Sequence, residues 1–306
     1  MKNKTIKRIA SGLLTAVVSL FVVTNYASAD ERSSTIFAVS PMNQKISLTP
    51  GERYYGTFKI TNPVTNTYNF AYEIGIDPFK VDDDYNIVYE NNGDYNQIMD
   101  WITIENSTGV IAPNDTDIIR FYVDVPETAP AGGQYAALVV HSADNAESES
   151  GVNIQAKYSI AHILYAEVAG ETVRKGTVNN INVPGFLFSG NISGTASITN
   201  GGNVHSDASY VMQVFPLFSG EEVYTNEEDP LINTVLPEAT RTTMLTWEET
   251  PSMGIFHVIY KAEFEGVESK VDKIVIVCPL WLLFLILLAI FLIIFRILSV
   301  KKKSKK

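Results

Sequence analysis

Apolar and polar residues alternate in short runs through most of the chain. In "NFAYEIGIDPF", Phe70, Tyr72, Ile74 and Ile76 share one face. In "DIIRFYVDVP", Ile119, Phe121, Val123 and Val125 share a face while Arg120, Tyr122 and Asp124 point away, and in "GIFHVIYKAEF" the inward set is Phe256, Val258, Tyr260, Ala262 and Phe264. A period of two marks strands with one buried face. Turn formers separate the runs at Thr49-Pro50-Gly51, Asn91-Asn92-Gly93, Ala112-Pro113-Asn114, Ala131-Gly132-Gly133 and Asn200-Gly201-Gly202-Asn203. Between Asp30 and Asp272 no stretch has capped helical periodicity. Many short strands at this spacing predict an all-β chain of two tandem Ig-like β-sandwiches, over residues 36–169 and 170–277. The first is expected to end in a long hairpin with "NAESES" at its tip, and "AGETVRKG" marks the boundary. "KITNPVTN" and "SITNGGNV" occupy similar places in the two halves and point to one plan used twice.

Two continuous apolar runs break the alternation. Residues 1–29 have a basic start (Lys2, Lys4, Lys7, Arg8), an apolar stretch from Ile9 to Val23 and small residues at Ala27-Ser28-Ala29. This is the pattern of a secretory signal peptide cleaved between Ala29 and Asp30. Near the other end, within residues 279–299, the run from Leu280 to Leu298 is apolar apart from Arg296. Nineteen residues rise ~28 Å as a helix, against a hydrocarbon core of ~30 Å. A single-pass transmembrane helix is expected, with Trp281 at one interface and Arg296 snorkelling towards the other. The basic residues of 300–306 predict a short cytoplasmic tail and an extracellular N-terminal part at the cell membrane.

Charge sharpens this division. The whole chain carries −11. All 34 acidic residues but only 13 of the 23 Lys and Arg lie between Asp30 and Lys273, so the exported part carries −21. That field repels nucleic acid, which is excluded as a partner. Cys278 is the single cysteine, so no intrachain disulfide supports the exported domains. Export without disulfides fits a bacterial surface.

The chain offers little for catalysis. His141, His162, His205 and His257 form no metal-binding spacing with nearby acids, and one cysteine excludes a cysteine zinc site. No phosphate loop, dinucleotide fingerprint or nucleophile elbow occurs, so no cofactor is called for. "LPEAT" at Leu236–Thr240 reads as a turn into the strand carrying Trp247. Asp82, Asp83 and Asp84 are a weak calcium candidate, because Ile87 and Gly93 stand where an EF-hand loop needs Gly and Glu. The best binding candidate is "DDDYNIVYENNGDYNQIMDW". Tyr85, Tyr89 and Tyr95 are placed to stack on sugar rings, with Asn91, Asn92 and Asp94 bonding hydroxyls. The alternative is an ordered loop whose tyrosines cover the sheet beneath.

"FAVSP", "ISLTPGERYYGTFKITNP" and "WITIENSTGVIAPNDTDIIRFYVDVPETAPAGGQYAALVV" resemble the extracellular region of the WxL-interacting proteins of Gram-positive bacteria. "SITNGGNVHSDASYVMQVF" and "TVLPEATRTTMLTW" look like the companion domain of related surface proteins. The resemblance implies a non-enzymatic cell-surface role: peptidoglycan bound through the first domain and a protein partner through the second. It carries over no individual ligand residue. A structural stalk or assembly subunit working through strand edges is the alternative, and a surface glycan hydrolase a further one.

Overall fold

A computed structural model describes residues 36–143 and 158–303, with side chains described as far as Arg296. The expected signal peptide, its Ala29–Asp30 cleavage point, the hairpin tip and the side chains of the basic tail lie outside these residues.

The alternating runs form strands that pack as two sandwiches. In the first, a four-stranded sheet has the order β1 (Ala38–Ser40), β3 (Arg53–Thr61), β9 (Thr116–Asp124), β7 (Ile102–Ile104). It faces a five-stranded sheet ordered β2 (Asn43–Leu48), β11 (Ser159–Val168), β10 (Gly132–Ser142), β4 (Phe70–Asp77), β8 (Thr108–Ile111). The first strand is split. β1 pairs antiparallel with β3, then the chain crosses at Pro41 and β2 runs parallel to β11. This is the immunoglobulin-like arrangement of two sheets linked by crossing connections. Between the sheets lie Phe58, Phe121, Tyr72 and Leu138, all essentially buried.

The second sandwich repeats the plan. One sheet is β12 (Gly176–Asn182), β14 (Ile192–Asn200), β18 (Thr240–Trp247). The other is β13 (Phe186–Leu187), β20 (Val267–Val277), β19 (Gly254–Phe264), β15 (Ser206–Pro216), β16 (Tyr224–Thr225), with β17 (Leu231–Val235) also on β15. Here too the first strand is split: β12 pairs with β14, and β13 crosses to run parallel to β20.

The shared "ITN" does the same work in both halves. Asn62 directly follows β3, Asn200 is the last residue of β14, and both are buried. The Asn62 amide donates to Tyr68 O and Ile111 O, at 2.9 and 3.0 Å. The Asn200 amide donates to Val204 O and Val235 O, both at 2.9 Å. Their backbone N–H groups reach Asp115 O and Ala239 O, the residues just before β9 and β18. The preceding threonines bond across the same strand pairs, Thr61 with Thr116 and Thr199 with Thr240. Each asparagine therefore closes a loop that would otherwise bury bare carbonyls.

Two features depart from the sequence expectation. A 3-10 helix occupies Gly93–Asp100 inside the predicted loop. It is fixed from outside, because Gln134 Oε1 accepts from Ile98 N and Gln134 Nε2 donates to Asp94 O. Such a segment needs no helical periodicity of its own. The second is a 24-residue helix, α1 (Leu280–Lys303), whose backbone runs on through the first lysines of the basic run. Among the described residues no helix is long and apolar enough to cross a membrane. The described side chains of α1 stop at Arg296, about 25 Å from its start at ~1.5 Å per residue.

Replacing Asn62 or Asn200 by alanine is expected to cost on the order of 2–4 kcal/mol, since two buried carbonyls lose their donors. Urea unfolding of each variant measures it. The two losses should be similar if the residues do equivalent jobs.

Candidate functional site

The tyrosine loop lies at the junction of the two sandwiches. The outer face of β10 explains why. Gly132 to Val140 is buried along its whole length, so both faces of this strand are covered. Ala136, Leu138 and Val140 face the first core. Tyr135, Ala137 and Val139 face the other way, into a cluster with Phe79, Ile163 and Leu236. Phe79 comes from the segment after β4, and Leu236 from the turn after β17 in the second sandwich. The sequence "LPEAT" is thus the expected turn, with Glu238 at φ +60, and its leucine plugs the first domain.

Tyr85 fastens the two halves. Its hydroxyl donates to Thr234 O and accepts from Leu236 N, both at 2.9 Å. The Arg241 guanidinium lies over its ring, 4.7 Å from the centroid, and also donates to Thr234 O at 2.8 Å. Burial pushes the phenol up to about 12, against the opposing pull of the Leu236 amide and Arg241. Tyr95 packs against Tyr135 at 6.2 Å and donates to Glu238 Oε1 at 3.3 Å. These two tyrosines, expected to stack on sugar rings, are instead held in contacts at the junction. Tyr89 is half exposed, and Asn91, Asn92 and Asp94 are exposed. Asn91 Oδ1 accepts from Gly93 N at 2.7 Å, shaping the turn.

In the acidic triplet, Asp82 is engaged within its own loop. Asp82 accepts from the backbone N–H of Asp84 and Asn86 and from the Asn86 amide. Those bonds, the Asn86 backbone donor first, hold its carboxyl below the usual range. Its lone pairs serve the loop, and among the described residues no group of three acid, His or Cys ligands converges.

Backbone also crosses the junction. Gly133 N donates to Asn203 O at 2.8 Å. Neighbouring Gly132 has φ +117, and a Cβ there would lie 2.7 Å from the same oxygen, so only glycine fits. Beside this contact Lys45 pairs with Asp207 at 2.5 Å, and Thr234 Oγ1 donates to the same carboxylate at 2.7 Å. Burial raises the Asp207 carboxyl, but Lys45 and Thr234 outweigh it and leave it below the usual range. Arg174, from the short connection between the sandwiches, binds Glu167 at 2.6 Å and Ser206 Oγ at 3.1 Å. His205 is buried between these charges and the rings of Tyr135 and Tyr165, at 5.8 and 5.6 Å. Burial first, then Lys45, pushes its imidazole down to about 4.

Two open clefts flank the seam. One, of about 290 Å³, is lined by Lys80, Asp82, Asn92, Tyr95, Glu238 and neighbours. The other, of about 250 Å³, is lined by Lys45, Glu167, Arg174, His205 and Asp207 among others. Of the remaining histidines, His141 bonds Ser159 Oγ at 2.8 Å and His257 pairs with Asp272 at 2.6 Å. His162 is buried against Phe58 and bonds Pro41 O at 2.7 Å. Cys278 is buried at the start of the helix.

A second aromatic surface escaped the sequence reading. On the outer face of β3 and β9, Tyr55 is 69% exposed and lies 6.4 Å from Tyr122. Arg53 sits 4.2 Å over the Tyr122 ring while making two hydrogen bonds to Asp124. Alternation already put Tyr122 outside. Only the register, Tyr55 opposite Tyr122, makes them a pair.

No protein-family model matches the chain, and no curated protein does. Among solved structures it overlaps loosely with the E. coli chaperone DraB, at 11% identity over 78% of this chain and 96% of that one, TM-score 0.37. The Pseudomonas aeruginosa CupB2 chaperone gives 11% identity over 77% and 99%, TM-score 0.34. The YadV chaperone gives 12% over 78% and 99%, TM-score 0.38. The sandwich assignment stands on the strand pairing above.

Two outcomes follow for the junction. Tyr85→Phe leaves the buried Leu236 N–H without its acceptor and should cost about 1–3 kcal/mol, read by thermal or urea unfolding. His205 is neutral when folded, with its pKa depressed from 6.5 to about 4. Between those values the unfolded chain binds more protons, so stability is full above pH 6.5 and falls as pH drops towards 4. The loss is on the order of 3 kcal/mol. His205→Gln should flatten that segment of a stability–pH curve. Depressed Asp207 contributes a separate loss at lower pH.

Proposed function

We propose that the chain is a non-catalytic binding or scaffolding protein of a bacterial cell surface, held at the membrane by α1. The reading takes residues 279–299 as one spanning segment with the lysines beyond it at the cytoplasmic face. Apart from the half-buried Leu282 and Leu283, the apolar side chains from Leu280 to Phe295 are exposed, which a water-facing helix does not tolerate. Arg296 lies close enough to the end to snorkel. The resemblance to the WxL-interacting proteins supports the same assignment. It names peptidoglycan and a surface protein as the partners.

The observation that carries the binding role is the clamp at the junction. It holds the loop after β6 (Ile87–Val88) against two domains, so that Tyr89, Asn91, Asn92 and Asp94 are presented on a rigid frame beside the polar cleft. A fixed row of one ring and short polar groups suits a glycan strand, because little ordering is left to occur on binding. A structural stalk is the second reading. The same clamp favours it, since a stiff two-domain body holds a distal surface at a set distance from the bilayer.

The test is co-sedimentation of the detergent-solubilised full chain with purified peptidoglycan sacculi. Saturable binding is expected, and it should fall at least several-fold in the combined variant Tyr89→Ala, Asn91→Ala, Asp94→Ala with the melting temperature unchanged. Binding that survives this variant but is lost in Tyr55→Ala moves the site to the outer sheet face. No sedimentation of the wild-type chain overturns wall binding and leaves the stalk.

A further inference from the structure

The end of the second sandwich next to α1 differs from a normal domain end. Strand register places three loops there. Gly254 pairs with Val277, which puts the loop before β19 level with the last residue of β20. Phe186 pairs with Ile276, and Cys278 N donates to Leu187 O, so β13 lies two residues from the helix start. Leu217 N donates to Ile255 O, which brings the loop after β15 to the same level.

Each of these loops exposes large apolar side chains. Phe186 and Phe188 stand edge-to-face at 4.8 Å, with neither ring buried. Leu217 is exposed and Phe218 is 88% exposed, the most open large apolar side chain of the described residues. Met253 is exposed on the third loop. At the opposite end of the same sandwich, Leu236 is inside the junction and the β19–β20 turn is the polar Glu265–Gly266. Val173 and Val267 are also exposed towards that opposite end, but the aromatic rings gather at the helix end, and such a cluster marks a contact surface. Its continuity with Leu280 and Trp281, both exposed at the first turn of α1, identifies what lies there.

We propose that this rim, Phe186, Phe188, Leu217, Phe218 and Met253, seats in the headgroup layer of a lipid bilayer. The proposal rests on the reading of α1 as the anchor and adds a second membrane contact beside it. Aromatic and aliphatic side chains bury favourably at that depth. Four acids in the same loops, Glu221, Glu222, Glu248 and Glu249, are exposed. They stop the loops at the headgroups, because carboxylates do not enter hydrocarbon at neutral pH. Seating fixes the second sandwich upright, which a helix joined through Cys278 and Pro279 alone does not.

The test uses the full chain in phosphatidylcholine vesicles with and without lipid brominated high on the acyl chains. The native tryptophans are Trp101, Trp247 and Trp281. Quenching of Trp281 in the wild-type chain reports the anchor. The double variant Trp281→Phe, Phe218→Trp, compared with Trp281→Phe alone, reports the rim, and Met253→Trp in the same background is a second reporter. Both positions are exposed, so neither change disturbs the core. The expected result is blue-shifted emission from each reporter, loss of intensity in brominated lipid and protection from aqueous acrylamide. If Trp281 is quenched while both reporters stay open to acrylamide and untouched by bromine, the anchor stands and the seating is wrong. The rim is then free for a protein. If the chain fails to float with vesicles at all, the anchor falls and the seating with it.

Discussion

The outer face of β10 must be kept from water, and the junction of the two sandwiches is built to do so. Tyr135, Ala137 and Val139 cannot lie on a solvated sheet face without exposing a broad apolar stripe. Phe79 and Leu236 cover them. Burying a side chain of that size is worth roughly 1.5–3 kcal/mol, whereas a half-exposed ion pair such as Lys45–Asp207 is worth about 0–1. The apolar cluster therefore supplies the affinity between the halves. The polar contacts around it, Tyr85 with Thr234 and Leu236, Gly133 with Asn203, set the angle at which they meet.

Most of the fold was legible in the sequence because sandwiches are made of half-buried strands, and period two is their direct trace. The inward sets of β4, β9 and β19 lie where alternation puts them. "QYAALVV" carried a further signal: a strand without alternation is a strand covered twice. What covers it was not legible. Leu236 lies about a hundred residues from Tyr135, inside a segment that looks like an ordinary turn. The split first strand was likewise hidden, since pairing with different sheets on either side of Pro41 leaves no pattern in so few residues.

The binding loop shows where residue chemistry alone stops. A tyrosine in an Asn- and Asp-rich loop looks the same whether its ring meets a sugar or a neighbouring domain. Tyr85 and Tyr95 meet the domain, while Tyr89 does not, and only the register of the loop against β17 and its following turn separates them. The acidic triplet is ambiguous in the same way. Asp82 spends its lone pairs on the amides of its own turn, which is the commonest use of aspartate in a loop.

With one cysteine and no bridge to stiffen it, the chain reaches rigidity by packing domain on domain. Rigidity matters at a surface because a binding face on a flexible tether samples many orientations, and each productive contact then costs the entropy of choosing one. A body stiff at its middle removes that cost there, and the proposed seating would remove it at the base. If the rim seats as proposed, the exposed rings at the helix end and the buried ones at the junction are two solutions to one problem: aromatic area covered by another domain sets the shape, and aromatic area covered by lipid would set the tilt. The polar loop at the junction can then present its amides and carboxylates in a fixed direction relative to both sandwiches.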